Sequence, residues 1–149
     1  MKILVVNKKL HFNYEVIEKI EAGIVLKGTE VKSIHLNNAN ISDAYVIFRK
    51  GEPFILNMHI APYSHGNIYN PDPLRTRKLL LNKKEIIKLS YKIKKEGLTI
   101  VPSKIYWSKN KLKVEIALVK GKKLFDKRQA IKDRDNKREA KKHLGKNIY

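Results

Sequence analysis

Residues 21–42 constrain the fold most, because they predict a strand, a sharp turn and a short helix in direct succession. The apolar run 24–26 is typical of the end of a strand, and Gly28 breaks it. Thr29 is the predicted helix N-cap, since its hydroxyl can accept from the unpaired backbone N–H groups of the first turn. Glu30 lies in that first turn, where a carboxylate suits the positive end of the helix dipole.

The rest of the first 119 residues alternates between short β-branched or aromatic runs and turn residues. The predicted strands are residues 3–6, 14–26, 44–49, 53–60, 98–107 and 111–119, with a bend near Gly23 in the second. Residues 50–52 predict a three-residue hairpin loop, and Lys109 with Asn110 predicts a tight turn. A second helix is predicted between the N-cap Asn82 and Gly97.

This pattern predicts a mainly β fold with flanking helices. About six short strands, mostly joined as hairpins, favour a small antiparallel barrel of the OB-fold type. We expect two to three helices on the outside of the barrel.

The charge of the chain indicates a polyanionic partner. It has 33 Lys and Arg residues against 14 Asp and Glu, a net charge of +19 in 149 residues. Nucleic acid is the first interpretation and an anionic membrane surface the second. No apolar run approaches the ~20 residues that span a bilayer, so we expect no membrane insertion. Without cysteine there are no disulfides or thiolate metal sites, which favours a cytoplasmic location.

The basic residues concentrate at the C-terminal end. Residues 120–149 contain twelve Lys or Arg and four Asp or Glu, a net charge of +8. This shift in composition predicts a boundary near Val119, between a barrel of residues 1–119 and a basic tail of residues 120–149. Few apolar residues occur in the tail, so we expect it to be disordered in the free protein. Residues 129–144 lack Gly and Pro, which permits a helix on binding.

Catalytic motifs are missing from the sequence. The five histidines show no metal-ligand spacing, and there is no phosphate-binding loop or nucleophile elbow. We therefore expect no enzymatic activity, no metal and no cofactor. A small RNA-processing nuclease built from scattered acidic residues is the alternative from the enzyme class.

Three basic residues after a proline-rich loop are candidates for phosphate contact. Arg75, Arg77 and Lys78 surround Thr76, and arginine can grip a phosphate with two parallel hydrogen bonds. The alternative is a solvated basic face at the start of a helix. Taken alone, Glu30 needs no role beyond its position in a first helical turn.

Four segments together resemble one known family. They are E-A-G-I-V-L-K-G-T-E-V-K-S-I at 21–34, N-I-S-D-A-Y-V at 40–46, R-T-R-K-L-L-L-N at 75–82 and V-K-G-K-K-L-F-D-K-R at 119–128. In this order and with these spacings they resemble small protein B, the tmRNA-binding family of bacterial trans-translation. The resemblance covers nearly the whole chain and implies the same barrel.

The resemblance implies a function without chemistry. Members bind the tRNA-like domain of charged tmRNA and deliver it to the empty A site of stalled ribosomes. The implied partners are tmRNA, the decoding centre and mRNA channel of the small ribosomal subunit, and elongation factor Tu through charged tmRNA. We expect a cytoplasmic monomer.

The resemblance also implies the residues that take part. The RNA-binding set is Asn7, Lys8, Tyr14, Glu30, Lys32, Ser33, Arg75, Arg77 and Lys78. Glu30 would accept hydrogen bonds from base amino groups, which a lysine cannot do. The implied ribosome-binding residues of the tail are Lys120, Gly121, Lys122, Lys123, Phe125, Asp126, Lys127, Arg128 and Ile131. The tail would become helical in the mRNA channel, with Phe125 stacked on a base of the decoding centre.

A ribosomal or single-stranded-nucleic-acid-binding OB-fold protein is the alternative from the binding class. Such proteins stack bases on aromatic residues of the barrel face. The aromatic residues that might form such a platform are Tyr45, Phe48, Phe54, Tyr106 and Trp107.

Overall fold

The fold is built on one seven-stranded antiparallel sheet that curls into a ring. The computed structural model describes residues 1–64 and 70–121. Its strands are β1 (Lys2–Val6), β2 (Tyr14–Ile24), β3 (Ala39–Asn40), β4 (Tyr45–Arg49), β5 (Glu52–Leu56), β6 (His59–Ile60), β7 (Arg77–Leu80), β8 (Thr99–Ser108) and β9 (Lys111–Gly121). Its helices are α1 (Leu10–Asn13), α2 (Gly28–His35) and α3 (Lys83–Glu96).

The ring closes because β9 pairs along both of its edges. The strand order is β1-β8-β4-β5-β7-β2-β9, and β9 also pairs with β8. Strands β3 and β6 form a separate two-stranded ladder. Such closure leaves few unpaired strand edges, which is how small barrels protect their backbone groups. The expected mainly β, OB-like barrel with outer helices is confirmed.

Two tight turns have the backbone that hairpins need. Lys109 and Asn110 join β8 to β9 with φ values of 51° and 62°, which confirms the predicted turn. Between β4 and β5, Arg49 pairs with Glu52, so the loop contains two residues and not the three predicted. Its members Lys50 and Gly51 have φ values of 53° and 77°. Positive φ at both central positions matches the twist of the flanking strands, so a third residue is not needed.

The interior of the barrel is apolar and closely packed. Its fully buried members include Ile34, Ile41, Ile55, Leu79, Leu89, Ile100, Ile105 and Ile116. Burying each such side chain contributes about 1.5–3 kcal/mol relative to exposing it. A second cluster, Leu10, Val101, Ala117 and Val119, lies on the other face of β9. Leu10 belongs to α1, a short helix that the sequence pattern did not predict.

The second predicted helix, α3, has the ends that its sequence indicates. Asn82 is the N-cap, and its backbone N–H donates to the Glu85 carboxylate at 3.1 Å. Gly97 ends the helix in the left-handed conformation with φ 64°. Lys88 and Lys92 hold the helix to β2 by ion pairs with Glu18 at 2.6 and 3.0 Å.

Helix α2 begins earlier than predicted. Its N-cap is Lys27, and Thr29 lies inside the first turn with a buried hydroxyl that has no hydrogen-bond partner. The prediction of Thr29 as N-cap is therefore wrong. The Glu30 carboxylate accepts from the Lys27 backbone N–H at 2.9 Å, which is the bond that the third helical residue makes in a capping box.

The predicted count of about six strands is too low for the described part of the chain, which contains nine. Strands β3 and β7 were not predicted, because β3 has only two residues and β7 contains two charged residues, so neither shows clear apolar alternation. The predicted strand 53–60 is divided into β5 and β6, with Asn57 at φ 58° between them. In β2 the irregular register lies between Val16 and Glu18, and the predicted bend at Gly23 is not where the register shifts.

Strand β9 extends to Gly121, and residues 122–149 lie outside the described ranges. The boundary near Val119 thus stays a prediction. Among the described helices, none is both long and apolar enough to cross a membrane.

Candidate nucleic-acid interface

A buried carboxylate organises the region around the N-terminus of α2. Glu30 is 2 % exposed and lies between two arginines. Arg77 donates from Nε to Glu30 Oε2 at 2.7 Å, and its Nη2 lies 2.6 Å from the same oxygen in an ion pair. Arg75 donates from Nη2 to Oε1 at 2.6 Å. With the Lys27 N–H, these donors use both carboxylate oxygens inside the protein.

Arg77 is enclosed on every side. Its side chain is 0 % exposed, and besides Glu30 it donates to the backbone carbonyls of Met58 at 2.6 Å and Pro73 at 3.1 Å. Because its nitrogens are used internally, this side chain does not present a phosphate clamp to solvent. Arg77 ties β7 to the backbone on either side of β6.

Burial and hydrogen bonding act in opposite directions on the pKa values of Glu30 and Arg77. Burial raises the pKa of the Glu30 carboxyl, but the hydrogen bonds from Arg75, the Lys27 N–H and Arg77 outweigh it, so the net pKa is below the ordinary value. Burial lowers the pKa of Arg77, and the Glu30 carboxylate partly offsets that effect. The Glu30 carboxyl therefore loses its proton at a lower pH than a free glutamate does. Glu30 is likewise buried, and both of its carboxylate oxygens accept hydrogen bonds inside the protein.

The three basic residues predicted as one cluster point in different directions. Side chains of neighbouring strand residues alternate between the two faces of a sheet. Arg77 therefore faces inward, whereas Lys78 is on the outer face, 42 % exposed and paired with Glu52 at 3.2 Å. Arg75 precedes the strand; its side chain is 27 % exposed and is held at one end by Glu30. Arg75 and Lys78 remain accessible to a ligand.

Helix α2 also presents one exposed cation beside a tyrosine. The Lys32 ammonium lies 5.3 Å from the centre of the Tyr63 ring. On the buried side of the same turn, the Ser33 hydroxyl donates to the Ala61 carbonyl at 2.7 Å. Ser33 thus fixes the segment after β6 against α2, and Lys32 and Tyr63 are brought together on the outer side. Nothing in the sequence pattern indicated Tyr63.

A second group of predicted residues lies where β1 ends. Asn7 is buried; its amide donates to the Pro102 carbonyl at 2.9 Å and its Oδ1 accepts from the Lys9 N–H at 3.1 Å. The side chain therefore holds the turn that exposes Lys8 and Lys9. Lys9 forms a long ion pair with Asp43 at 3.8 Å, with both groups largely exposed.

Tyr14 is the first residue of β2 and connects the residues at the end of β1 to the last described residues of the chain. It is half-buried against the second apolar cluster and pairs in register with Gly121. The next pair is Glu15 with Lys120. Of the predicted tail residues, only Lys120 and Gly121 are described, and Lys122, Lys123, Phe125, Asp126, Lys127, Arg128 and Ile131 lie outside the described ranges.

The exposed cations and the start of the predicted tail at Lys120 are therefore parts of the same barrel. Comparisons with known proteins show which family this barrel belongs to. The model of the family described as SmpB protein matches residues 4–146. The chain belongs to the SmpB family. The resemblance to small protein B seen in the sequence is confirmed.

Relatives of known name agree with the SmpB assignment. The chain is 82 % identical to the SsrA-binding protein of Malacoplasma penetrans (strain HF-2), over 97 % of this chain and 99 % of the relative. It is 56 % identical to the SsrA-binding protein of Ureaplasma parvum serovar 3 (strain ATCC 27815 / 27 / NCTC 11736), over 93 % and 99 %. A solved chain described as "tmRNA-SmpB: a journey to the center of the bacterial ribosome" superposes with a TM-score of 0.71 at 41 % identity, covering 88 % of this chain and 95 % of that one.

Two of the aromatic strand residues of this SmpB-family barrel are engaged inside the protein. Tyr106 is buried and its hydroxyl donates to the Glu21 carboxylate, while Phe48 packs against the main core. Within the described residues, no group of three or more His, Cys, Asp or Glu side chains is arranged to hold a metal ion.

Proposed function

We propose that this SmpB-family chain is an RNA-binding adaptor that binds the tRNA-like domain of tmRNA and delivers it to the empty A site of stalled ribosomes. The observation that carries this proposal is the identity of 82 % with an SsrA-binding protein over almost the full length of both chains. The net charge of +19 supplies the electrostatic attraction that binding an RNA requires.

Within this proposal the RNA-binding residues divide into two kinds. Lys8, Tyr14, Lys32, Arg75 and Lys78 have exposed or half-exposed side chains and contact the RNA. The other four hold the backbone or the contacting side chains in place, namely Asn7, Glu30, Ser33 and Arg77. A framework fixed by buried hydrogen bonds limits the entropy that the contacting residues lose on binding.

The tail acts on the ribosome in this proposal. Its basic residues enter the mRNA channel of the small subunit and become helical there, and Phe125 stacks on a base of the decoding centre. The tail occupies the place of a codon. The protein itself does no chemistry in this proposal. Elongation factor Tu is a partner through charged tmRNA, and the protein acts as a cytoplasmic monomer.

The decisive experiment measures RNA preference and tagging with the full-length chain. Purified protein is titrated with tmRNA, with bulk tRNA and with ribosomal RNA at one fixed salt concentration, because affinities for nucleic acid depend steeply on salt. We expect preferred binding of tmRNA and protein-dependent peptide tagging on ribosomes stalled without a codon. Equal binding of all three RNAs without tagging would instead support a general OB-fold nucleic-acid binder. Cleavage of the RNA in the presence of a divalent metal would support a nuclease.

A further inference from the structure

A cavity of about 370 Å³ lies at one end of the barrel and is not used by the residues considered so far. It is bounded by the ends of β2, β7 and β8, the start of β9 and one residue of α2. Its walls are mostly apolar and consist of Ile24, Leu26, Val31, Leu80, Trp107 and Leu112.

The aromatic wall of this cavity is held rigidly. The Trp107 indole packs against the main core and makes an edge-on contact with His35, with ring centres 4.8 Å apart and an angle of 66° between the planes. Leu80 stands across from it and remains 53 % exposed. Gly23 pairs with Leu80 in the ladder, and a Cβ on Gly23 would lie 3.1 Å from Leu80 Cβ. Glycine at this position therefore leaves room for Leu80 to form the mouth of the cavity.

The polar edge of the cavity is formed by the β8–β9 hairpin. Asn110, Lys111 and Lys113 line it. Lys113 is held loosely, at 4.0 Å from a Glu21 carboxylate that also accepts from the Tyr106 hydroxyl. Cations at the rim of an apolar slot favour a ligand that is planar and aromatic at one end and anionic at the other.

We propose that this cavity takes an unstacked nucleobase of the bound RNA, stacked on Trp107, with the adjoining phosphate at Lys111 and Lys113. The inference rests on the proposed RNA-binding function and adds a contact next to the N-terminus of α2, where Glu30 and Arg75 lie. A base meets the apolar walls with its π-face, Asn110 offers a donor and an acceptor to its edge, and the lysines neutralise the backbone charge.

The only tryptophan of the chain is Trp107, so its emission reports on the cavity directly. The full-length protein is titrated with the tRNA-like domain of tmRNA, and binding is followed in parallel by gel shift. We expect emission to be quenched along the same saturation curve, and the bound RNA to shield Trp107 from acrylamide.

Two pairs of matched variants locate the contact. Leu80→Glu adds a negative charge at the mouth, and Ile87→Glu adds the same charge at a 60 % exposed position on α3. We expect Leu80→Glu to weaken binding about 5- to 150-fold, the range for loss of one stacked base, relative to Ile87→Glu. Replacing Lys111 and Lys113 by alanine leaves the core intact, and should lower the salt slope by about 0.7–0.9 per phosphate contact relative to alanine at Lys83 and Lys84.

The failure of this inference is distinguishable from failure of the proposed function. If the RNA binds but Trp107 emission stays unchanged, or if both pairs of variants bind like their controls, the cavity does not hold a base and the RNA-binding function still stands. If no RNA binds at all, the proposed function is wrong and this inference is wrong with it.

Discussion

Nε and Nη2 of Arg77 lie 2.7 and 2.6 Å from the same carboxylate oxygen of Glu30, and both side chains are buried. The pair joins the N-terminus of α2 to β7, and Arg77 extends the connection to the Met58 and Pro73 carbonyls. Three segments that are distant in sequence thus meet at one ion pair, around Glu30, around Met58 and at residues 73–77. Because Arg75 is bound to the same carboxylate, the position of an exposed cation depends on a buried acid.

Removing Glu30 should destabilise the barrel strongly. Glu30→Ala leaves the buried Arg77 charge without its partner, which typically costs about 3–5 kcal/mol of unfolding free energy. Urea unfolding measures the change. Glu52→Ala is the matched control, since Glu52 pairs with Lys78 at the surface, and such pairs contribute about 0–1 kcal/mol. Equal stability of the two variants would show that the buried pair does not hold the fold together.

The decrease of the unfolding free energy at acid pH should depend on Glu30. Its pKa in the folded protein is lowered, so the stabilisation is present above the unfolded pKa of about 4.3 and is lost as pH falls through the folded value. Unfolding free energy measured from neutral pH downward should therefore fall in acid, and Glu30→Gln should flatten that fall. Glu18→Gln controls for a second lowered carboxyl that lies nearer the surface. A parallel pH profile of Glu30→Gln and the unsubstituted chain would contradict this assignment.

Charge at the exposed cations should set RNA affinity. Lys32→Ala removes a cation that lies beside Tyr63 and makes no contact with the buried pair. We expect tmRNA binding to weaken and the salt slope to fall by about 0.7–0.9, with unfolding free energy unchanged. Lys95→Ala on α3, which also removes a lysine lying beside a tyrosine ring, is the control. If both variants lose affinity equally, only net charge matters and Lys32 is not a specific contact.

The tail should be separable from the barrel at Gly121. Truncation there keeps the pairs of Tyr14 with Gly121 and Glu15 with Lys120, which a cut after Val119 would remove. We expect the truncated chain to unfold at the same urea concentration and to bind tmRNA, but not to support tagging on stalled ribosomes. Phe125→Ala in the full chain should reduce tagging in part. Full tagging by the truncated chain would exclude the tail from the ribosomal step.

Local signals in the sequence were sufficient for the Lys109–Asn110 turn, the ends of α3 and the barrel class, but not for the length of the β4–β5 loop. The Lys109–Asn110 turn and the Asn82 and Gly97 caps depend on contacts within a few residues, so the local sequence was enough to predict them. The inward direction of Arg77 depends on Glu30, which is 47 positions earlier in the chain. An arginine is rarely buried without a partner, so a pattern of charges alone predicts an exposed side chain.

The same limitation applies to Asn7 and Ser33. Their side chains were predicted to meet RNA, but they bind the backbone carbonyls of Pro102 and Ala61, which are 95 and 28 residues away. Only the closed barrel brings those carbonyls within reach. Family resemblance identifies such positions as important without indicating whether they touch the ligand or hold the residues that do.

The pairing of β9 along both edges has a mechanical consequence. The chain continues toward its C-terminus from a strand that pairs with β2 over residues 113–121 and with β8 over residues 111–119. A pulling force applied beyond Gly121 along the axis of the strand must shear both ladders at once, because neither can be peeled open one bond at a time. Whatever grips the C-terminal segment therefore pulls on the most firmly anchored strand of the barrel.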